Sequence, residues 1–470
     1  MPRLGSRSIP RSLVFATLAA LLYLATCPAP TSATDFARRA DAIVRPFADA
    51  GVYQGVVLLA DEDEILFHGA YGRASIELDV PNRLDTRFQI ASVSKPFTAT
   101  AVLLLAERGE VDLEAPLSAI LPDYPGGDRL TLDDLLTHTS GIPNVNSFDD
   151  YPDWSRRNWA TAAELVALFR DEPLEMEPGT EYSYSNSNYN LLAHVVEVVS
   201  GESFGTFLEE NVFAPAGMRD TRHRADPTWI VPRLATGYAA HGARDFRRPP
   251  YLDWTIKTGN GSLYSTTTDL LRFHRALGRD EILSRETLEA AYGFDRELGR
   301  GWFPGEYHGQ RAVTMTGRSP GYTSHYRRFI DSGHCLVILS NLYLGPPSPM
   351  IEDLVALLLD APFEASDFRV DSELAGEELD PFAGTYAFGD DWYVGAVTVI
   401  VENRTDHLAV VYLDGDNAGY ELVLVSLGGR RFFDRTHGGM VRFEPGAAPN
   451  DRLRLVYSYG SEKVAEPIEH

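Results

Sequence analysis

Residues 89–100 of the chain read QIASVSKPFTAT, and in this stretch a serine precedes a lysine by three residues. The apolar residues that follow predict a helix over residues 92–108. Positions three apart lie on the same face of a helix, so the Ser92 hydroxyl and the Lys95 amine would be neighbours. Serine is a weak nucleophile until a base takes its proton, and lysine can be that base when its pKa is lowered. We therefore predict Ser92 as the nucleophile and Lys95 as its base.

The lysine content favours this prediction over a simpler interpretation, in which Ser92 caps the helix and Lys95 is a solvated charge. Of the 42 basic residues, only Lys95, Lys257 and Lys463 are lysines. Arginine holds its proton, whereas lysine can lose it. A GC-rich genome would also favour arginine. Even so, Lys95 is the only lysine with a serine three residues before it.

The N-terminal segment has the pattern of a secretory signal peptide, which we place at residues 1–33. Three arginines precede an apolar run over residues 13–25, and small residues follow it. The apolar run is shorter than a membrane-spanning helix. A lipoprotein anchored at Cys27 is the alternative. The sequence therefore predicts an exported protein, periplasmic or extracellular, with no transmembrane domain after signal removal.

The formal net charge of −25 makes the chain strongly acidic. Such a charge opposes association with nucleic acid and with anionic membrane surfaces. The partner that we expect is a small-molecule or peptide substrate. Loss of Cys27 with the signal would leave Cys335 alone, and hence no disulfide. The histidines form no close cluster with acids, and no glycine-rich phosphate loop precedes a helix. We therefore expect no metal and no cofactor.

Two further stretches carry polar side chains suited to chemistry. The first, LLTHTSGIP at residues 135–143, follows a short capped helix, and its His138 is either a catalytic base or a hydrogen-bonded structural histidine. The second, PGTEYSYSNSNYNLL at residues 178–192, is a hydroxyl-rich loop that leads into an apolar helix ending at Gly201. Taken by itself, the second stretch would supply packing tyrosines and capping asparagines.

The chain carries four motifs in order: SVSK at residues 92–95, LLTHTSGIP, YSN at residues 184–186, and GNGSLYSTTTDLLRFHRAL from Gly259. Together they resemble the serine β-lactamase-like family, which includes class C β-lactamases, D-Ala-D-Ala carboxypeptidases and related serine esterases. The resemblance covers about residues 36–360. It implies an α+β fold, in which an antiparallel sheet is flanked by helices and accompanied by a helical subdomain.

The resemblance also implies roles for individual residues. Ser92 would be the acylated nucleophile, and Lys95 and Tyr184 would share the acid and base work. Asn186 would orient the substrate amide or Lys95. A tyrosine can act as a base only if nearby positive charge lowers its pKa, and Lys95 would supply that charge. By position, the backbone N–H groups of Ser92 and Arg318 would form the oxyanion hole.

The third family motif is Lys or His, then Thr or Ser, then Gly, on the strand that edges the active site. A literal Lys257-Thr258-Gly259 occurs, but a helix pattern follows it where a hairpin is required. We place the motif at Met315-Thr316-Gly317, because strand, turn and strand patterns follow there. Met315 offers no charge to a substrate carboxylate. Its presence favours a neutral ester or amide substrate, unless Arg318 or Lys257 reaches the pocket.

A second serine must be weighed as nucleophile. The string GRSPG at residues 317–321 matches the Gly-x-Ser-x-Gly elbow of α/β-hydrolases. That elbow needs a helix after the turn, whereas a strand pattern follows here. Pro320 also removes a backbone donor where the oxyanion hole would need one. We therefore reject Ser319 as the nucleophile.

The C-terminal part has a different pattern from the rest of the chain. Residues 363–382 look like an acidic linker, and residues 383–470 carry seven short strand patterns separated by turns. This predicts a small antiparallel β-barrel after a hydrolase domain of residues 34–362. It is similar to the lipocalin-like domain that often follows such hydrolases.

These observations favour a serine hydrolase that acts through an acyl-enzyme on an ester or amide. One alternative is a strict β-lactamase or D-Ala-D-Ala carboxypeptidase. Another is a non-catalytic peptidoglycan-binding or regulatory protein with the same fold. The intact Ser92, Lys95, Tyr184 and Asn186 argue against this last alternative. The oligomeric state stays open.

Overall fold

The structure is a computed structural model. It describes residues 33–296, 298–344, 346–366, 368, 374–392, 395–414, 418–446, 452–459 and 461–468. Nearly all of the predicted signal peptide, including Cys27, lies outside these residues. The signal peptide therefore stays a prediction.

The helices precede the C-terminal barrel. Their bounds are α1 (Ala33–Asp49), α2 (Lys95–Glu107), α3 (Leu132–Leu136), α4 (Tyr151–Arg157), α5 (Ala162–Ala167), α6 (Asn186–Ser200), α7 (Phe204–Leu208), α8 (Thr267–Gly278), α9 (Arg285–Tyr292) and α10 (Ser348–Leu358). No single helix of the described ranges is long and apolar enough to cross a membrane. The bent pair Asn186–Ser200 with Phe204–Phe213 meets that test by length and composition alone.

Twenty-one strands are described. The first thirteen are β1 (Gly55–Ala60), β2 (Ile65–Tyr71), β3 (Arg73–Ser75), β4 (Val80–Pro81), β5 (Phe88–Gln89), β6 (Arg222–His223), β7 (Ala239–His241), β8 (Asp245–Arg247), β9 (Leu263–Ser265), β10 (Phe303–Tyr307), β11 (Gln310–Ser319), β12 (Tyr322–Phe329) and β13 (Cys335–Ser340). The others are β14 (Gly384–Phe388), β15 (Val397–Asn403), β16 (Leu408–Tyr412), β17 (Glu421–Gly428), β18 (Arg431–Asp434), β19 (Met440–Glu444), β20 (Arg454–Tyr459) and β21 (Ser461–Ile468).

The central sheet is antiparallel, with the strand order β10-β11-β12-β13-β1-β2. Strand β1 is buried along its whole length. Because successive side chains point to opposite faces, Val56 and Leu58 pack in one core with Phe97 of α2. Val57 and its neighbours on the other face pack with Phe47 of α1. The predicted antiparallel sheet flanked by helices is confirmed.

The nucleophile segment differs from its predicted form. Ser92 lies in a short 3₁₀ turn, Ala91–Ser94, and the α-helix begins only at Lys95. A helix that began at Ser92 would place Pro96 beyond the first turn, where its missing N–H would break a backbone hydrogen bond. Ala91 has a φ of +48°, an unfavourable conformation for a residue with a side chain. The backbone is therefore strained immediately before the serine.

The C-terminal strands close into a barrel of eight strands, β14 to β21. The sequence predicts seven of them. It misses β21, because only Ala465 of that strand is buried and the charged residues hide the alternation. The segment predicted as a linker is partly packed: Phe368 stacks on Phe47, with ring centroids 4.2 Å apart. Arg435 Nη1 of the barrel donates to Gly242 O at 2.6 Å, so the barrel also contacts the first part of the chain.

Candidate active site

Lys95 lies at the centre of a polar cluster beneath Ser92. Its Nζ is 3.1 Å from Ser92 Oγ, 2.9 Å from Asn186 Oδ1 and 3.1 Å from the Asn260 carbonyl oxygen. The Lys95 side chain has no exposure to solvent. Burial lowers the pKa of Lys95 well below its ordinary value, because a charged amine loses its hydration there.

The three oxygens around Lys95 suit both protonation states of its amine. A neutral amine has two N–H donors and one lone pair. The donors are matched by Asn186 Oδ1 and Asn260 O, and the lone pair is then left for the Ser92 hydroxyl proton. After it takes that proton, the ammonium has three donors for the same three oxygens. This geometry is what a proton acceptor requires.

The hydroxyl group of Tyr184 contacts Ser92. The Tyr184 OH donates to Ser92 Oγ at 3.0 Å, and the Tyr184 ring centroid is 4.9 Å from Lys95 Nζ. Burial raises the pKa of Tyr184 to about 12, and the hydrogen bond with Ser92 only partly opposes this rise. The prediction that Lys95 lowers the pKa of Tyr184 is therefore wrong. Burial raises the pKa of Tyr184, and burial also disfavours the charged form of Lys95 that would have lowered it. At neutral pH the Tyr184 phenol is a donor.

Two asparagines fix the position of Lys95. Asn186 donates through its backbone N–H and its Nδ2 to Asn144 Oδ1, at 3.2 and 3.4 Å, which turns Asn186 Oδ1 toward Lys95. Asn260 contributes its carbonyl oxygen, and its side chain donates to Asn190 Oδ1 at 3.2 Å. Sequence reasoning missed the role of Asn260, although it quoted the GNGSLYST motif. A backbone carbonyl leaves no side-chain signature.

Of the two interpretations of His138, catalytic base or hydrogen-bonded structural histidine, the structure supports the second. Its Nδ1 accepts the Ser185 N–H at 3.2 Å, and its ring centroid is 4.4 Å from that of Tyr184. Burial, and then the charge of Lys95, lowers the pKa of His138 well below its usual range. The histidine supports the loop that carries Tyr184 and does not contact Ser92 by any hydrogen bond among the described residues.

Met315-Thr316-Gly317 lies on β11 at an open edge of the central sheet. Strand β10 pairs with β11 only as far as Thr314, so residues 315–319 have a free edge. The literal Lys257-Thr258-Gly259 follows a 3₁₀ turn, and Gly259 packs against helix α6 instead of a strand. The Met315 side chain is buried beside His138 and Tyr189 and supplies no charge. The Thr316 side chain is exposed on the other face of β11.

Gly317 brings β11 against the turn that carries the nucleophile. A Cβ placed on Gly317 would lie 3.0 Å from Ser92 N and would clash with Ile90 O and Ser324 Oγ. A two-residue turn follows Ser319, so Ser319 and Tyr322 form a hydrogen-bonded pair. Hydrogen-bonded and non-hydrogen-bonded pairs alternate along a hairpin, so Arg318 and Thr323 form a non-hydrogen-bonded pair. The Arg318 N–H therefore points to the free edge of β11, one residue after the glycine that approaches Ser92 N. This supports the predicted pair of oxyanion donors.

The side chains of Arg318 and Lys257 form no hydrogen bond or ion pair with Met315, Thr316 or Gly317 among the described residues. The Arg318 Nε donates to Tyr343 O at 3.2 Å, and its Nη2 donates to Thr436 O of the barrel at 2.7 Å. The Arg318 side chain therefore ties β11 to the barrel. Lys257 is buried, and burial together with the charge of Lys95 lowers its pKa to about 8.

Comparison with known proteins agrees with this geometry. The Beta-lactamase family model matches residues 40–361, more than half of the chain. The chain belongs to the Beta-lactamase family. Related members include serine hydrolases, and the chain is an enzyme of this β-lactamase-related class.

Two curated relatives show the breadth of the family. Penicillin-binding protein 4* of Bacillus subtilis is 34% identical over 88% of this chain and 94% of its own length. Esterase EstB of Burkholderia gladioli is 34% identical over 57% of this chain and 79% of its own length. The octameric penicillin-binding protein homologue from Pyrococcus abyssi has a TM-score of 0.62 at 22% identity, and covers 92% of this chain and 100% of its own. This last likeness concerns the fold alone.

The described residues contain no group of three or more histidines, cysteines, aspartates or glutamates that could hold a metal ion. That no cofactor is needed stays a prediction.

Gly317→Ala is expected to reduce kcat by roughly 10²–10³-fold, the usual cost of losing one oxyanion donor. The added methyl group would push β11 away from Ser92 N and Ile90 O. Steady-state kinetics with a nitrophenyl ester would measure the effect, and thermal unfolding would check the fold. Gly278→Ala is the matched control, because a Cβ there meets open space. Unchanged kcat in the Gly317 variant would contradict the proposed position of the oxyanion hole.

Proposed function

We propose that this Beta-lactamase family member hydrolyses an ester or amide through an acyl-enzyme on Ser92. One observation carries the proposal: Ser92 Oγ lies within hydrogen-bond distance of both a buried lysine amine and a protonated phenol, those of Lys95 and Tyr184. Ser92 and Tyr184 are partly exposed, so a substrate can reach them. The presence of Ser92, Lys95 and Tyr184 together argues against a non-catalytic protein.

The proposed reaction begins when the neutral Lys95 amine takes the Ser92 proton and Oγ attacks the substrate carbonyl. The negative charge on the carbonyl oxygen is stabilised by the N–H groups of Ser92 and Arg318. Tyr184 donates a proton to the leaving group as the tetrahedral intermediate collapses, and Lys95 restores the proton of Tyr184. Water then attacks the acyl-enzyme and gives a proton to Lys95. Lys95 passes this proton to Ser92 Oγ as the acyl bond breaks, which releases the acid and regenerates both residues.

The substrate preference is tested by a panel that compares a chromogenic cephalosporin with short-chain nitrophenyl esters. Because Met315 is buried and Arg318 is turned to the barrel, neither supplies a cation beside the third motif. We expect the ester to have a kcat/KM at least about tenfold higher, since one charge-assisted hydrogen bond contributes roughly 1.5–3 kcal/mol. Efficient cephalosporin turnover would contradict this preference and favour the β-lactamase or carboxypeptidase alternative.

Export to the periplasm or the extracellular space is part of the same proposal. The pattern of residues 1–33 supports it, with lipidation at Cys27 as the alternative form. Cys335 is a free, buried thiol in the described structure. A small-molecule or peptide substrate remains the proposed partner.

A further inference from the structure

A cleft of about 340 Å³ opens beside the turn that follows β11. Pro320 and Tyr322 of that turn line it together with Tyr251 and Trp254. The rings of Trp254 and Tyr322 meet edge to face, with centroids 5.7 Å apart. The volume is at the lower end of the range for small-molecule sites, roughly 300–1,000 Å³.

Several residues that line this cleft are close in the chain to residues of the candidate active site. Pro320 lies two residues after Arg318, whose N–H is the proposed oxyanion donor. Trp254 begins the 3₁₀ turn that leads to Asn260, whose carbonyl oxygen holds Lys95. Strand β5, which leads into Ser92, pairs with β9, and β9 pairs with β6. These connections place the cleft near the strands and the turn that carry the candidate site.

Arg224 brings a positive charge to this cleft. It follows β6, and its backbone N–H donates to Ser262 O at 3.1 Å. With the Gln89 amide oriented so that Nε2 donates to Leu263 O, Gln89 Oε1 accepts a hydrogen bond from Arg224 Nη1 at 3.3 Å. Gln89 is fully buried, three residues before Ser92. A buried amide thus fixes the guanidinium at the edge of the site.

The other charged groups of the cleft already have partners. Arg248 Nε pairs with Glu77 Oε1 at 2.6 Å. Asp253 Oδ1 accepts from the Thr255 N–H and hydroxyl, at 2.9 and 2.7 Å, and Asp253 Oδ2 accepts from Tyr251 OH at 3.1 Å. By contrast, Arg224 forms no ion pair with any carboxylate in the described ranges of the chain. It is a fixed cation with capacity for an anion.

We propose that this cleft is a substrate subsite in which Arg224 binds a carboxylate on the part of the substrate remote from the reacting carbonyl. The proline and aromatic walls would contact the apolar segment between the two groups and keep water from the ion pair, which strengthens it. A guanidinium also matches the two oxygens of a carboxylate geometrically. The proposal rests on the proposed function and names its substrate class, carboxylated esters or amides. The anion is recognised here and not beside Met315.

Two substrate pairs test the proposal on either side of the scissile bond. The first compares the 4-nitrophenyl monoester of glutaric acid with its neutral methyl ester. The second compares 3-carboxy-4-nitrophenyl butyrate with 4-nitrophenyl butyrate. In Arg224→Gln we expect kcat/KM for the carboxylated member of at least one pair to fall roughly 10- to 100-fold, mainly through KM. The neutral members should change by less than about twofold.

Arg222→Gln is the matched control. Arg222 lies on β6, two residues before Arg224, and carries the same charge, but it pairs with Glu209 at 2.9 Å and does not line the cleft. It should leave all four substrates unchanged, which separates a local contact from a change in net charge. Arg224→Lys should retain most of the preference for the carboxylated member.

An equal ratio of carboxylated to neutral turnover in the wild type and in Arg224→Gln, for both pairs, would overturn the proposal. Failure of the proposed function has a different signature. In that case the wild type would not hydrolyse even the neutral esters, or Ser92→Ala would hydrolyse them as well as the wild type does.

Discussion

Ser92→Ala is expected to lower the turnover of a nitrophenyl ester by about 10⁵-fold or more, the scale seen when a serine nucleophile is removed. Without Oγ there is no atom to form the acyl-enzyme, and Lys95 and Tyr184 lose the group that they both contact. The variant should fold, because Ser92 is partly exposed and its hydroxyl supports no core contact. Stopped-flow and steady-state assays measure the loss.

Covalent labelling gives the same prediction a direct readout. A fluorophosphonate should add to the wild type, and peptide mass spectrometry should place the adduct on Ser92. Ser319→Ala is the control, because Ser319 is the rival serine of the Gly-x-Ser-x-Gly string. Ser319 is buried and its Oγ has no hydrogen-bond partner within the described ranges, so that variant should keep both activity and label. An adduct on Ser319, or none under any probe, would contradict the assignment.

The sequence predicts the chemistry of this site better than its electrostatics. Ser92, Lys95, Tyr184 and Asn186 could be named because their side chains carry the chemistry and their motifs occur in order. The antiparallel sheet was implied by the resemblance that these motifs carry, and the fully buried strand β1 lies within it. What sequence cannot supply is the balance between burial and charge. It therefore gave the wrong direction for the pKa of Tyr184, which burial raises to about 12.

Some contacts made by backbone atoms, or between segments outside the family motifs, could not be predicted from the sequence. The Asn260 carbonyl that holds Lys95 looks like that of any other residue in a sequence. Arg224 and Gln89 are 135 residues apart in number, and only the pairing of β5, β9 and β6 brings them together. In the same way, the tie between Arg318 and Thr436 depends on where the barrel lies against β11.

Lys95→Arg is expected to lower kcat by roughly 10²–10⁴-fold, the usual contribution of a general base. Arginine keeps the positive charge but cannot give up its proton, so the variant tests whether Lys95 acts as a base or only as a charge. Lys463→Arg is the matched control, because Lys463 lies in the barrel and is exchanged in the same way. Retained activity in Lys95→Arg would contradict the neutral-amine mechanism.

The dependence of kcat/KM on pH follows from the same buried amine. Only neutral Lys95 can take the Ser92 proton, so activity is lost as pH falls through the pKa of Lys95, which burial places well below its ordinary value. Burial raises the pKa of Tyr184 to about 12, so the phenol stays protonated below that pH and the rate should reach a plateau above the pKa of Lys95. A change of the rate with pH near pH 8 would come from Lys257, whose pKa is about 8, and would disappear in Lys257→Met.

A tyrosinate base predicts the opposite profile, in which the rate still rises about tenfold per pH unit in the alkaline range. Measuring kcat/KM for a neutral ester across the plateau therefore decides which of the two side chains is the base.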